Sequence, residues 1–94
     1  MNDYDDLIKI FSETTDPKMM EKLFSEMFTD REQKDFVLRW DLLKDLYQGL
    51  PQREIAAKHK ISLCKITRGS KILKKDGSYV KKLLSDRYDD HLHI

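Results

Sequence analysis

The side chains best suited to chemistry lie between Gln52 and Lys75. Arg53, Lys58, Lys60, Lys65, Arg68, Lys71, Lys74 and Lys75 are interleaved there with Ser62, Thr67 and Ser70. Cations and hydroxyls of this kind neutralise phosphates and hydrogen-bond to the edges of bases. No paired acid and base, and no nucleophile beside a base, stands out, so the pattern suits binding and not an enzyme. Gly69 is the odd member. A glycine inside a helix costs about 1 kcal/mol relative to alanine. Close approach of a ligand or of a second backbone is what would compensate for it.

These side chains need two short helices joined by a tight turn. Ile55, Ile61 and Ile66 supply the apolar contacts that fix the crossing, and Ala56 is the small residue the crossing needs. Lys60 falls where the backbone turns left-handed, a conformation that costs a side chain on the order of 1 kcal/mol. Ser62 is a good cap for the second helix. This is the layout of a helix-turn-helix reader of DNA over about residues 51–75. Leu63, Cys64, Lys65 and Thr67, in the first turns of the second helix, then face base edges in the major groove. Gln52 and Arg53 reach phosphates or an outer base. Lys71, Lys74 and Lys75 contact the backbone, which positions the protein without reading sequence. Four anchor residues at this spacing also occur in helical proteins that bind no DNA. The coincidence of the motif with the basic cluster favours DNA.

Charge divides along the chain. Residues 1–35 carry ten acids and five bases, a net −5, while residues 53–82 carry ten bases and two acids, a net +8. A local excess of this size is an electrostatic footprint for phosphates, against the plainer alternative of a solvated helical face. The 94 residues are expected to form a single domain, 1–94, of helical and soluble type, with only three glycines and two prolines. No apolar run approaches the roughly 18 residues that span a bilayer. The acidic start lacks the basic and apolar regions of a signal peptide, so the expected location is the cytoplasm. A single cysteine, Cys64, excludes an internal disulfide and a cysteine-based zinc finger.

The remaining elements follow from periodicity. Tyr4, Leu7, Ile8 and Phe11 mark a first amphipathic helix. Asp16 caps a second with Pro17 at its first position, and Met20, Leu23, Phe24, Met27 and Phe28 form an apolar stripe suited to a core or a dimer interface. Thr29 and Glu32 read as a capping box opening a long third helix. Phe36, Trp40, Leu43 and Tyr47 line one face of it, with Leu42 and Leu46 alongside, and Gly49 stops it. Asp76-Gly77 breaks the chain before a short last helix with Val80, Leu83 and Leu84. The tail from Asp86 to Ile94 reads as polar and frayed. His91 and His93, beside Asp89 and Asp90, belong to that tail, and no metal site is expected. The total is six helices with no strand.

At Ile66-Thr67-Arg68-Gly69-Ser70, followed by Leu73-Lys74, the chain resembles the tryptophan repressor family. The match runs from about Leu23 to Lys74 and includes Phe28-Thr29, Arg39 ten residues before Gly49, and Gln52-Arg53-Glu54. The resemblance implies an all-helical intertwined homodimer that takes L-tryptophan as corepressor, with no other cofactor. It implies repression of tryptophan genes from a palindromic operator in double-stranded DNA. The indole would lie between the guanidinium groups of Arg39 and Arg68, which stack well on aromatic faces. Arg68 would also hold the carboxylate, and Gly69 would let the ring approach the helix backbone. Carbonyls near Glu26 and Phe28 would accept from the ammonium group, and Thr29 would line the pocket.

The chain also departs from the family pattern. Ile72 stands where a small polar residue faces the ligand's ammonium. Pro51 replaces a Ser or Thr cap, and the linker after Gly49 is one residue shorter. Ala56 occupies a position that carries a phosphate-contacting lysine in some members. Lys65 replaces a neutral residue on the reading face. Two other readings remain open: a regulator of the same build that needs no ligand, and a helical adaptor whose basic face docks an acidic protein.

Overall fold

The computed structural model describes residues 2–89. Six helices follow one another: α1 (Asp3–Glu13), α2 (Pro17–Met27), α3 (Asp30–Tyr47), α4 (Gln52–His59), α5 (Leu63–Lys74) and α6 (Tyr79–Tyr88). No strand occurs among the described residues. The all-helical expectation and the helix count hold. The helices fall into two compact units that divide between Asp35 and Phe36, inside α3.

The first unit is built from well-capped helices with little to bury. The Asn2 side chain accepts the Asp5 N–H at 2.8 Å, and Asp3, Asp5 and Asp6 put negative charge at the positive end of α1. Asp16 caps α2 by accepting the Met19 N–H at 3.0 Å, with Pro17 in the first turn. The capping box at the start of α3 is complete. Thr29 N–H donates to Glu32 Oε1 at 2.9 Å, and Glu32 N–H donates to Thr29 Oγ1 at 3.1 Å. The Thr29 backbone, then its side chain, hold the Glu32 carboxyl below its ordinary range. Phe24 and Phe28 pack ring to ring with centroids 4.7 Å apart. Yet no residue of α1 or α2 is buried. Tyr4, Ile8, Met19 and Met27 are all at least half exposed.

The second unit holds the core. Leu42, Ile55 and Ile66 form its centre, with Leu46, Leu50, Ala56 and Ile61 packed against them. Leu43 and Leu84 are also buried. The buried side of α3 therefore coincides only in part with the face its periodicity suggests. Phe36 is 48% exposed and Trp40 and Tyr47 are half-buried, while Leu42 and Leu43 are sealed. The physical reason is that α4 and α5 pack over the Leu42 side of α3, and helix periodicity alone does not say which side a neighbour covers.

Two left-handed residues end the helices that frame this core. Gly49, at φ +88°, closes α3: its N–H returns to the Leu46 carbonyl, and the Leu50 N–H to the Asp45 carbonyl, both at 3.1 Å. That pairing is a Schellman motif, and it draws Leu50 onto the core. Lys60, at φ 55° and ψ 48°, closes α4, and the Ile61 N–H returns to the Ala56 carbonyl at 3.1 Å. Two other expectations need correction. Ser62 occupies the cap position of α5, but its side chain makes no capping bond. The polar segment from Asp86 is helical to Tyr88, because Asp89 ties the end of α6 down. Asp89 Oδ2 accepts from Tyr47 at 2.5 Å and from Ser85 at 2.9 Å. The Asp89 hydrogen bond, followed by burial, pushes the Tyr47 hydroxyl above its ordinary range. His91 and His93 lie outside the described residues.

Candidate functional site

The hairpin of α4 and α5 is fixed by residues that point inward, which leaves the opposite face open. Ile55 and Ile66 are fully buried, one from each helix. Leu63, Cys64, Lys65 and Thr67, in the first turns of α5, are all exposed. Leu63 stays 49% exposed although apolar, and Cys64 is a free thiol. Thr67 donates its hydroxyl to the Leu63 carbonyl at 3.0 Å, and its oxygen can still accept a hydrogen bond. Gln52, Arg53, Lys71 and Lys74 are exposed as well. The second unit thus gathers the residues expected to touch DNA onto α4 and α5, with Lys75 just past the end of α5. None of them forms an ion pair among the described residues.

One buried acid clamps this hairpin to α3, and sequence reasoning did not single it out. Asp45 is 6% exposed. It accepts from Lys58 Nζ at 3.0 and 3.1 Å through its two oxygens, and from His59 Nε2 at 2.8 Å. Burial pushes its carboxyl up, but the His59 and Lys58 hydrogen bonds and the charge of Lys58 outweigh that, so it sits below its ordinary value. The signal was present: Asp45 lies three residues after Leu42 and one before Leu46, within the apolar run of α3. His59 is thereby occupied as a structural partner of Asp45.

The residues expected to hold a ligand divide between the two units. In the second, Gly69 is buried against α3. A Cβ on Gly69 would lie 3.2 Å from Leu46 Cδ1, and 3.6 Å from Leu42 Cγ and from Leu43 Cδ2. The glycine therefore lets α5 pack closely against the leucine side chains of α3. Arg39 lies one helical turn before Leu42 and Leu43, and Arg68 immediately precedes Gly69. Both arginines are exposed, and Ile72, one turn beyond Arg68, is half-buried. In the first unit, Glu26 and Thr29 are exposed and Phe28 is half-buried. The Phe28 carbonyl accepts from Gln33 Nε2 at 2.9 Å. A carbonyl oxygen has two lone pairs and can take two donors. Gln33 is a further residue that sequence reasoning passed over.

Comparison with known proteins meets this geometry from outside. The family model described as Trp repressor protein matches residues 2–87. The chain belongs to the Trp repressor family. A Trp operon repressor homolog of Chlamydia trachomatis serovar L2 is 40% identical over 68 residues, covering 71% of this chain and 72% of that protein. The Trp operon repressor homolog of serovar D is 43% identical over 58 residues, covering 61% and 62%. That of Chlamydia caviae is 30% identical over 86 residues, covering 90% and 85%. No solved structure matches the chain. The family is one of DNA-binding transcription regulators, not enzymes, so this chain is a tryptophan-repressor-like regulator. Among the described residues no helix is long and apolar enough to cross a membrane.

Proposed function

We propose that this chain is a repressor that takes L-tryptophan as corepressor and then binds a palindromic operator of tryptophan biosynthesis or transport genes. The protein works in the cytoplasm as an intertwined homodimer. Each protomer presents α5 to the major groove, with Leu63, Cys64, Lys65 and Thr67 toward base edges. Gln52, Arg53, Lys71 and Lys74 hold phosphates. The observation that carries this reading is the exposed basic face of α4 and α5 behind a sealed Ile55–Ile66 core, in a chain of this family.

Support for the dimer comes from the first unit. No residue of α1 or α2 is fully buried, Tyr4, Leu7, Ile8 and Met27 are exposed, and the rest of their apolar stripes is only half-buried. Apolar area left in water contributes no stability, at roughly 25 cal/mol per Å² forgone, and a partner copy is what would cover it.

For the ligand, Arg39 and Arg68 stack on the indole, and Arg68 also pairs with the carboxylate. Gly69 and Ile72 shape the site, Thr29 lines it, and the carbonyls of Glu26 and Phe28 accept from the ammonium. L-Tryptophan acts by favouring the protomer arrangement whose two α5 helices match successive major grooves. Titration calorimetry of L-tryptophan against the wild type and Arg68→Ala tests the assignment. Saturable binding that Arg68→Ala abolishes or weakens at least tenfold is expected. Absence of binding by the wild type would remove the corepressor and leave a regulator that needs no ligand.

A further inference from the structure

The groove between α5 and α6 carries charge that the fold does not use. Lys74 and Lys75 line it from the end of α5, and Lys81 and Lys82 from the start of α6. Asp76 is the one acid on its walls. All four lysines are exposed, and none forms an ion pair among the described residues. Lys74 has a local justification, because a cation suits the negative end of a helix. Lys81 and Lys82 have none. They stand at the positive end of α6, whose first turn contains no acid. Four like charges facing one groove repel each other until an anion enters.

We infer that this groove takes the DNA phosphate backbone flanking the bases that α5 reads, so that the interface continues from α5 onto the first turns of α6. The inference rests on the DNA-binding reading above. Length supports it. Helix α5 has 12 residues and runs about 18 Å at 1.5 Å per residue, whereas the major groove is about 12 Å wide. A helix that reads with its first turns therefore carries its last turn, and the lysine groove beside it, out to the groove wall. Duplex DNA offers a negative charge per roughly 1.7 Å of axis, enough to engage several lysines at once. The acidic start of α1 in a second copy, Asp3, Asp5 and Asp6, is another anion of matching sign. Continuity with α5 favours DNA.

The test compares the wild type with K81Q/K82Q, and with K18Q/K22Q on α2 as a charge-matched control. Duplex binding is measured over a range of salt concentrations, for a palindromic operator and for unrelated DNA. For K81Q/K82Q we expect affinity to fall roughly fivefold or more for both duplexes. The slope of log K against log salt should become shallower by about 0.9 for each phosphate no longer neutralised. The α2 control keeps the wild-type slope, and L-tryptophan binding is unchanged in both variants. An unaltered slope in K81Q/K82Q, with the wild type binding normally, overturns the groove while leaving the DNA reading intact. A wild type that binds no duplex overturns both. If the variant changes salt-dependent dimer dissociation and not DNA affinity, the groove belongs to the partner's acidic helix and the inference is wrong.

Discussion

Gly69 and Leu46 stand so close that a methyl group on Gly69 would lie 3.2 Å from Leu46 Cδ1. The space beside Gly69 admits a methyl group only if Leu46 gives way slightly. Leu46 is only half-buried and presents the far end of a flexible chain, so it can shift by a few tenths of an ångström. Gly69→Ala is therefore expected to change stability little, because about 1 kcal/mol of gained helix propensity offsets the tighter packing. Gly69→Val drives further methyl groups toward Leu42 and Leu43 and is expected to cost about 1–3 kcal/mol. Urea unfolding of both variants checks this. Equal midpoints for Val and Ala would show that α3 and α5 are not in close contact.

Lys60 is the one non-glycine residue at positive φ among those described. Its side chain is exposed and forms no ion pair among the described residues, so glycine should fit the same turn without loss. Lys60→Gly is expected to stabilise the protein by about 1 kcal/mol, seen as a rise in melting temperature. DNA affinity should fall only by the removal of one charge. A lower melting temperature would mean that Lys60 makes a compensating contact.

Asp45 links stability to pH. Its folded carboxyl sits below the ordinary Asp value, so its contribution is present above about pH 4 and disappears as pH falls through the folded value. Asp45→Ala removes the partner of Lys58 and His59. We expect a destabilisation of about 2 kcal/mol at neutral pH, from the broken charged hydrogen bonds. The deficit should shrink on acidification below about pH 4, where the wild type gives up the same bonds. Unfolding curves between neutral and acid pH decide it. A deficit that is constant down to the acid end would show that the charge on Asp45 contributes nothing.

Gln33 holds the Phe28 carbonyl, one of the groups proposed to accept from the ligand's ammonium. Gln33→Ala removes that restraint on its direction. The variant should bind L-tryptophan a few-fold more weakly, about 0.5–1.5 kcal/mol, with its melting temperature nearly unchanged. Calorimetric titration gives the answer. Unchanged affinity would place the ammonium elsewhere.

Much of this arrangement was legible in the sequence, because the signals were local. The capping box at Thr29 and Glu32, the Asp16-Pro17 start of α2, and the turn at Lys60 each depend on residues within one turn of chain. The anchors Ile55, Ile61 and Ile66 were legible for the same reason. What escaped was set by neighbours distant in sequence. The buried side of α3 is chosen by α4 and α5, which seal Leu42 and leave Phe36 exposed. Asp45 looks like any helical acid until Lys58 and His59, 13 and 14 residues away, close on it. Gly69 was recognised as unusual, but whether a ligand or a helix approaches it is a tertiary question. The structure sets leucine side chains of α3 against it, and these leucines lie 23 to 27 positions earlier in the chain. Tyr47 with Asp89, 42 residues apart, kept the end of α6 ordered where composition suggested fraying.

The proposed function turns on L-tryptophan switching DNA binding. The direct measurement is the affinity of the wild-type protein for a palindromic operator duplex, at one fixed salt concentration, with and without saturating L-tryptophan. A coupling of typical size should tighten binding by about 5- to 150-fold, and Arg39→Ala and Arg68→Ala should each abolish the difference. Equal affinity with and without L-tryptophan would refute the corepressor role.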